Sequence, residues 1–179
     1  MQNSFYSTQE LFTLGFKAIG QNVLISRFAR FYGIGNIEIG NNVRIDDFCI
    51  LSGNIKLGSN IHISAYTALY GRFGIEMEDY SGLSPRCTVF SATDDFSGDY
   101  LIGPVLNSDF TNVTGGKVLI KKYSQIGSGC IILPDVTIGE GVAVGAMSLI
   151  NKSLEEWGIY KGIPAKYSAK RSKNLLNLL

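Results

Sequence analysis

Large apolar residues recur along this chain in steps of six. They stand at Ile19, Ile25 and Phe31, then at Ile39, Ile45 and Leu51, then at Leu57, Ile63 and Leu69. The series continues through Met77, Leu83 and Val89, breaks, and returns at Ile120, Ile126, Ile132, Ile138, Val144 and Ile150. A helix would space such residues by three and four, and a strand by two. A step of six predicts a chain that turns a corner every six residues and closes a three-sided coil, one large side chain per side pointing at the axis. The triads make six coils, with two-residue insertions after the first and third, near Gly33 and Gly71.

The residue two places before each axial one is mostly small or β-branched, as in Val23, Ala29, Val43, Thr67, Ser81 and Ser124, which suits a flat and crowded inner face. Cys49, Cys87 and Cys130 all occupy this position, so they read as packing residues rather than as a disulfide or zinc set. Gly20, Gly40, Gly58, Gly127, Gly139 and Gly145 follow axial residues, and Asn36, Asn41, Asn42 and Asn60 lie nearby. Corners require conformations that Gly, Asn and Asp adopt at least cost, so these are expected to be the corner residues.

Three pieces fall outside the repeat. Ser7-Thr8-Gln9-Glu10 is a capping box that opens a short helix to about Leu14, with Leu11, Phe12 and Phe16 expected to cover the open end near Phe31. Residues 91–117 break the period and must leave the coil as a loop, and loops of that length in compact folds are often functional. After Trp157 comes Gly162-Ile163-Pro164-Ala165-Lys166 and then a Lys- and Leu-rich segment expected to be helical. The expected organisation is one domain over 1–179: a helical cap at 5–18, the coils at 19–152, and a strap and helix at 153–179.

The chain has 179 residues, 45% hydrophobic, with a formal net charge of +1, which suits one domain with a substantial core and argues against nucleic-acid binding. No apolar run reaches the roughly 20 residues of a membrane span, and the N-terminus lacks a signal-peptide pattern, so a cytoplasmic location is expected. Basic residues gather late, at Lys152, Lys161, Lys166, Lys170, Arg171 and Lys173, an asymmetry suited to a phosphate-bearing ligand.

The repeat resembles that of the hexapeptide-repeat acyltransferases. The resemblance implies an all-β fold, a left-handed parallel β-helix, a homotrimer, and acetyl-CoA as cosubstrate with no permanently bound cofactor or metal. The Gly-Phe-Lys-x-Ile-Gly segment at 15–20 and Ile-Asp-Asp-Phe-Cys-Ile at 45–50 look like those of enzymes serving bacterial surface polysaccharides such as O-antigen. Among these are enzymes that N-acetylate a nucleotide-linked 4-amino-4,6-dideoxyglucose. The Pro-Ala-Lys strap resembles the segment that packs beside the coenzyme's adenine, which implies coenzyme contacts at Ile163, Pro164 and Lys166, with Lys161 and Arg171 meeting phosphates. Ser128, Gly145 and Ala146 match the corners that the pantetheine arm follows.

The segment Phe90-Ser91-Ala92-Thr93-Asp94-Asp95 is similar to the family's aromatic-Thr-Ala-Thr-His-Pro, whose His is the general base for a hydroxyl acceptor. Asp94 stands where that His belongs. A carboxylate is a weak base for a hydroxyl, but it can hold an ammonium and take up its proton, so an amine acceptor fits better. His62, the single histidine, should point outward from the third coil and is the other candidate base. Asp95, Tyr100 and Asn112 are polar groups of the same loop and are expected to meet the acceptor. The readings in order are sugar N-acetyltransferase, sugar O-acetyltransferase, and a non-catalytic β-helix scaffold. A metal-dependent β-helix enzyme needs several histidines, which this chain does not have.

Overall fold

The computed structural model describes residues 4–178. Its body is a parallel β-helix with three faces. The first face stacks Ala18–Ile19, Ile37–Ile39, the ends of Ile50–Leu57 and Ala68–Met77, then Val118–Ile120 and Thr137–Ile138. The second stacks Leu24–Ile25, Val43–Ile45, Ile61–Ile63, Gly82–Leu83, Gln125–Ile126, Ala143–Val144 and Gly158–Lys161. The third stacks Arg30–Tyr32, the beginnings of the two long strands, Thr88–Phe90, Ile131–Ile132 and Leu149–Ile150. Axial residues pair with axial residues throughout: Ile19 with Ile39, Ile39 with Leu57, and Leu57 with Met77. The insertion near Gly71 appears as a register shift between Gly53 and Ile55, beyond which axial residues pair again, Leu57 with Met77.

The stack runs one partial coil beyond the six expected. Leu154 bridges to Ile138 and Tyr160 pairs with Val144, and both side chains are buried. The step from Ile150 to Leu154 is four residues, which hides this coil from a search for sixes. The C-terminal segment also differs from expectation. Lys166–Lys170 is a strand, antiparallel to Gly158–Lys161, and only Asn174–Leu178 is helical, as a short 3-10 turn. The last coil leaves an edge of unpaired N–H and C=O groups, and pairing with that edge outweighs the helix propensity of a lysine-rich segment. At the other end Thr8–Thr13 is the expected helix, with both bonds of the capping box present. Leu11 is buried and Phe16 packs edge-on to Phe31 at 5.0 Å, whereas Phe12 is 67% exposed and covers nothing.

The corners correct the reading of the glycines. Left-handed backbone is carried by Asn42 and Asn60, as expected, but not by Asn36 or Asn41; Asn22, Phe48, Tyr66, Tyr80, Tyr123 and Trp157 carry it as well. Stacking between coils offsets that conformational cost. Phe48 lies 5.0 Å from Tyr66 and Tyr80 5.5 Å from Tyr123, while the Asn22, Asn42 and Asn60 amides bond in a ladder at 3.1 Å. The glycines that follow axial residues serve close approach instead. A Cβ on Gly40 would sit 2.5 Å from the Gly58 carbonyl oxygen of the next coil.

The three cysteines are free and buried on the inner face, and burial pushes the Cys49 and Cys87 thiols up to about 11. Ile126→Asp should therefore abolish soluble folding, since an unpaired carboxylate on the axis costs several kcal/mol, while Lys122→Asp on the surface should not. Gly40→Ala should lose about 1–3 kcal/mol by forcing neighbouring coils apart. Urea unfolding of the soluble variants measures both, and equal midpoints for Lys122→Asp and Gly40→Ala would refute the packing role.

Candidate functional site

The inserted loop leaves and rejoins the coil at one corner, between the third and first faces. Ser91 is fully buried there; its hydroxyl donates to the Tyr70 carbonyl at 3.1 Å and accepts the Phe73 N–H at 2.9 Å. Its own carbonyl accepts the Gly116 N–H at 3.1 Å, which closes the neck. Beyond it Ala92–Asp94 pairs antiparallel with Val113–Gly115, placing Asp94 opposite Val113. Asp95 and Asn112 lock the next step. The Asp95 N–H donates to the Asn112 carbonyl and the Asn112 amide to the Asp95 carboxylate, both at 2.9 Å. Hydrogen bonds from Ser97 and then from Asn112 hold the Asp95 carboxyl below its usual range. These two residues hold the shape of the loop, and Tyr100 lies farther out on its exposed limb.

Asp94 is half-buried and lines an open groove of about 670 Å³. Tyr70, Arg72, Thr93, Pro104 and Leu106 form its other walls. Tyr70 lies flat on Phe90, 5.3 Å between centroids and 13° between planes, which gives the groove a rigid aromatic side. Neither Tyr70 nor Arg72 was singled out from the sequence. The available signal was the two-residue insertion beside Gly71, a departure from an otherwise strict repeat.

The positions implied for the coenzyme share a different corner, between the second and third faces. The backbone there stacks coil on coil: Arg86 N–H to Ala65, Gly129 N–H to Pro85, and Met147 N–H to Ser128. Ser128 and Ala146 are exposed on this line, and Gly145 N–H donates to the Tyr160 carbonyl at 2.8 Å. The strap crosses just beyond. Gly162 accepts the Leu149 N–H at 3.0 Å and Ala165 donates to the Leu149 carbonyl at 2.8 Å, leaving Ile163 and Pro164 on the surface. Lys161 and Lys166 are paired across the terminal hairpin, and both are exposed. Within one chain this corner is separated from the neck of the Asp94 loop by the width of the third face, about three residues or roughly 10 Å.

His62 points outward from the second face, as expected. Its Nε2 lies 2.7 Å from Asp46, and its Nδ1 lies 3.5 Å from the Ser64 hydroxyl. Burial alone would raise the Asp46 carboxyl, but hydrogen bonds from Arg44 and His62 outweigh it and hold the group low. His62 is not among the residues of the Asp94 groove. Arg171 departs from its expected phosphate role. One guanidinium nitrogen donates to the carbonyls of Tyr123, Gly141 and Val142 at 2.7, 3.0 and 3.3 Å, and burial lowers its pKa. It clips the end of the terminal strand to this corner.

The family model "Bacterial transferase hexapeptide (six repeats)" matches residues 117–152. The chain is 45% identical over 172 residues to a dTDP-4-amino-4,6-dideoxy-D-glucose acyltransferase of Escherichia coli, covering 94% of this chain and 90% of that protein. It belongs to the hexapeptide-repeat acyltransferases. Among solved hexapeptide-repeat acyltransferases, the N-acyltransferase AntD of Bacillus cereus superposes with a TM-score of 0.96 at 53% identity. That match is to a D94N variant in complex with dTDP and coenzyme A, covering 98% of this chain and 96% of that one. An S84A variant of AntD, in complex with dTDP-4-amino-4,6-dideoxyglucose and coenzyme A, matches equally well over 99% and 96%. This chain also has Asp at 94 and Ser at 84. Ser84, not singled out from the sequence, lies on the same corner as Ser128 and Ala146, its N–H bonded to the Ile126 carbonyl at 2.9 Å.

Arg171→Ala should release the terminal strand at a cost of about 1–3 kcal/mol. Hydrogen exchange should then quicken at residues 166–170 and stay slow at 125–132. Unchanged protection at 166–170 would show that the clip is dispensable.

Proposed function

We propose that this acyltransferase moves an acyl group from acyl-CoA to the amine of a dTDP-linked 4-amino-4,6-dideoxysugar used in surface-polysaccharide synthesis. The observation that carries the reading is Asp94, a carboxylate lining an open groove at the position where a hydroxyl-specific relative has histidine. The E. coli and B. cereus relatives support it. The sugar ammonium docks on the Asp94 carboxylate and gives up a proton. The free amine then attacks the thioester carbonyl, the new C–N bond forms, and the C–S bond breaks. Coenzyme A leaves as the thiol, carrying a proton shed by the nitrogen. Acetyl is the acyl group implied by the sequence resemblance, and AntD has been solved with 3-hydroxybutyryl-CoA.

The working unit is a homotrimer. The coenzyme corner and the Asp94 groove lie on different corners of one chain, so a neighbouring chain is needed to bring them together. The third face suits that contact. Beyond Arg30 at its N-terminal end, its outward row of Ile50, Ala68, Thr88, Ile131 and Leu149 carries no charge. The first face instead presents Glu38, Lys56 and Glu76, joined by ion pairs with Lys17 and Lys117. The pantetheine arm follows Ser128, Gly145 and Ala146, the adenine end meets Ile163 and Pro164, and Lys161 and Lys166 meet phosphates. Free buried thiols suit a reducing compartment, and we place the enzyme in the cytoplasm. The O-acyl alternative assigns the base to His62, which the Asp46 contact orients.

Asp94→Asn should retain the trimer and coenzyme affinity while turnover falls by roughly 10²–10⁴, the usual range for a general base. His62→Asn should leave turnover within a few-fold. Release of free thiol with dTDP-linked amino and hydroxyl sugars, supplied with acetyl- and 3-hydroxybutyryl-CoA, measures this. Full activity in Asp94→Asn with loss in His62→Asn would move the enzyme to the O-acyl class.

A further inference from the structure

The groove beside Asp94 is electrically simple. Of the residues that line it, Arg72 is the one cation and Asp94 the one anion. Most other arginines are committed: Arg27 and Arg44 to carboxylates, Arg30 and Arg171 to carbonyls. The Arg72 guanidinium forms no hydrogen bond or ion pair among the described residues and lies 5.9 Å from the Phe73 ring centre. Its backbone, by contrast, is pinned. The Arg72 carbonyl accepts from the Asn54 amide at 3.4 Å, and the N–H of the next residue is held by the buried Ser91 hydroxyl at 2.9 Å. A fixed Cα with an uncommitted, exposed guanidinium is an arrangement suited to an anionic ligand.

We infer that Arg72 anchors the diphosphate of the nucleotide-linked amino sugar, so that Arg72 and Asp94 recognise the two charged ends of one substrate. The inference rests on the N-acyltransferase reading. A pyranose ring places substituents at its first and fourth carbons on opposite sides. A diphosphate on one and an ammonium on the other give a molecule with an anionic and a cationic end. The groove offers one charge of each sign, with Tyr70, stacked on Phe90, as an apolar wall for the deoxygenated edge of the sugar. A free amino sugar loses the Arg72 contact, and a nucleotide-linked sugar with a hydroxyl in place of the amine loses the Asp94 contact. Specificity is then set by charge at both ends of the groove, and Arg72 is a substrate-positioning residue with no part in proton transfer.

Calorimetric titration of dTDP, dTDP-4-amino-4,6-dideoxyglucose and coenzyme A into wild type, Arg72→Met, Arg72→Lys and Asp94→Asn separates these roles. Arg72→Met should weaken dTDP by about 10–100-fold, the range for a charge-assisted contact, and leave coenzyme A unchanged. Arg72→Lys should recover part of the loss. Asp94→Asn should bind dTDP normally and weaken only the amino sugar conjugate. In turnover, Arg72→Met should raise KM for the nucleotide sugar far more than it lowers kcat. Wild-type affinity for dTDP in Arg72→Met would overturn the anchor and leave the N-acyltransferase reading standing. A wild-type protein that binds coenzyme A but neither dTDP ligand would overturn both.

Discussion

Everything in this fold depends on parallel coils stacking in register about 4.8 Å apart. At that spacing a residue is confined less by its neighbours in sequence than by the same position one coil above and below. Axial Ile, Leu and Val stack on their like, Asn22, Asn42 and Asn60 share amide bonds, and Phe48 lies on Tyr66. The same spacing leaves no room for a side chain where two backbones pass closest, which is why Gly40 faces Gly58. Charge obeys it too: Glu38, Lys56 and Glu76 alternate in sign up the first face because like charges would be held side by side.

A spacing rule this strict makes the scaffold plain in the sequence. The positions of the coils, the register with its two insertions, the capped N-terminal helix and the protruding loop all follow from the step of six and from capping chemistry. Elements that depend on an edge or on a neighbour were harder to see. The strand at Lys166–Lys170 exists because the last coil offers it a partner, a fact absent from its own composition. The partial coil at Leu154 and Tyr160 is masked by a four-residue step. Aromatic corner residues defy the local rule for left-handed backbone because their gain lies in the next coil.

The site was legible in part. Asp94 could be singled out by its segment, and in the structure it lines a groove. Asp95 and Asn112 proved to be spent on each other, and Arg171 on three carbonyls, because a polar residue in a sequence does not reveal who already holds it. Arg72 went unnoticed for the converse reason. Its interest lies in a guanidinium with no hydrogen bond or ion pair among the described residues, and that can be judged only when its neighbours are in place.

The neck of the loop has a consequence for how such an enzyme can change. Ser91 and Gly116 are hydrogen-bonded neighbours, and Val89 still pairs with Ile132 across the excursion. The solenoid therefore does not register how many residues pass between them. Lengthening the loop costs only the slowly growing entropy of closing a larger ring. The segment that carries Asp94 is in this sense a cassette plugged into a two-residue socket, free to be rewritten by insertion or exchange while the prism that carries it stays the same.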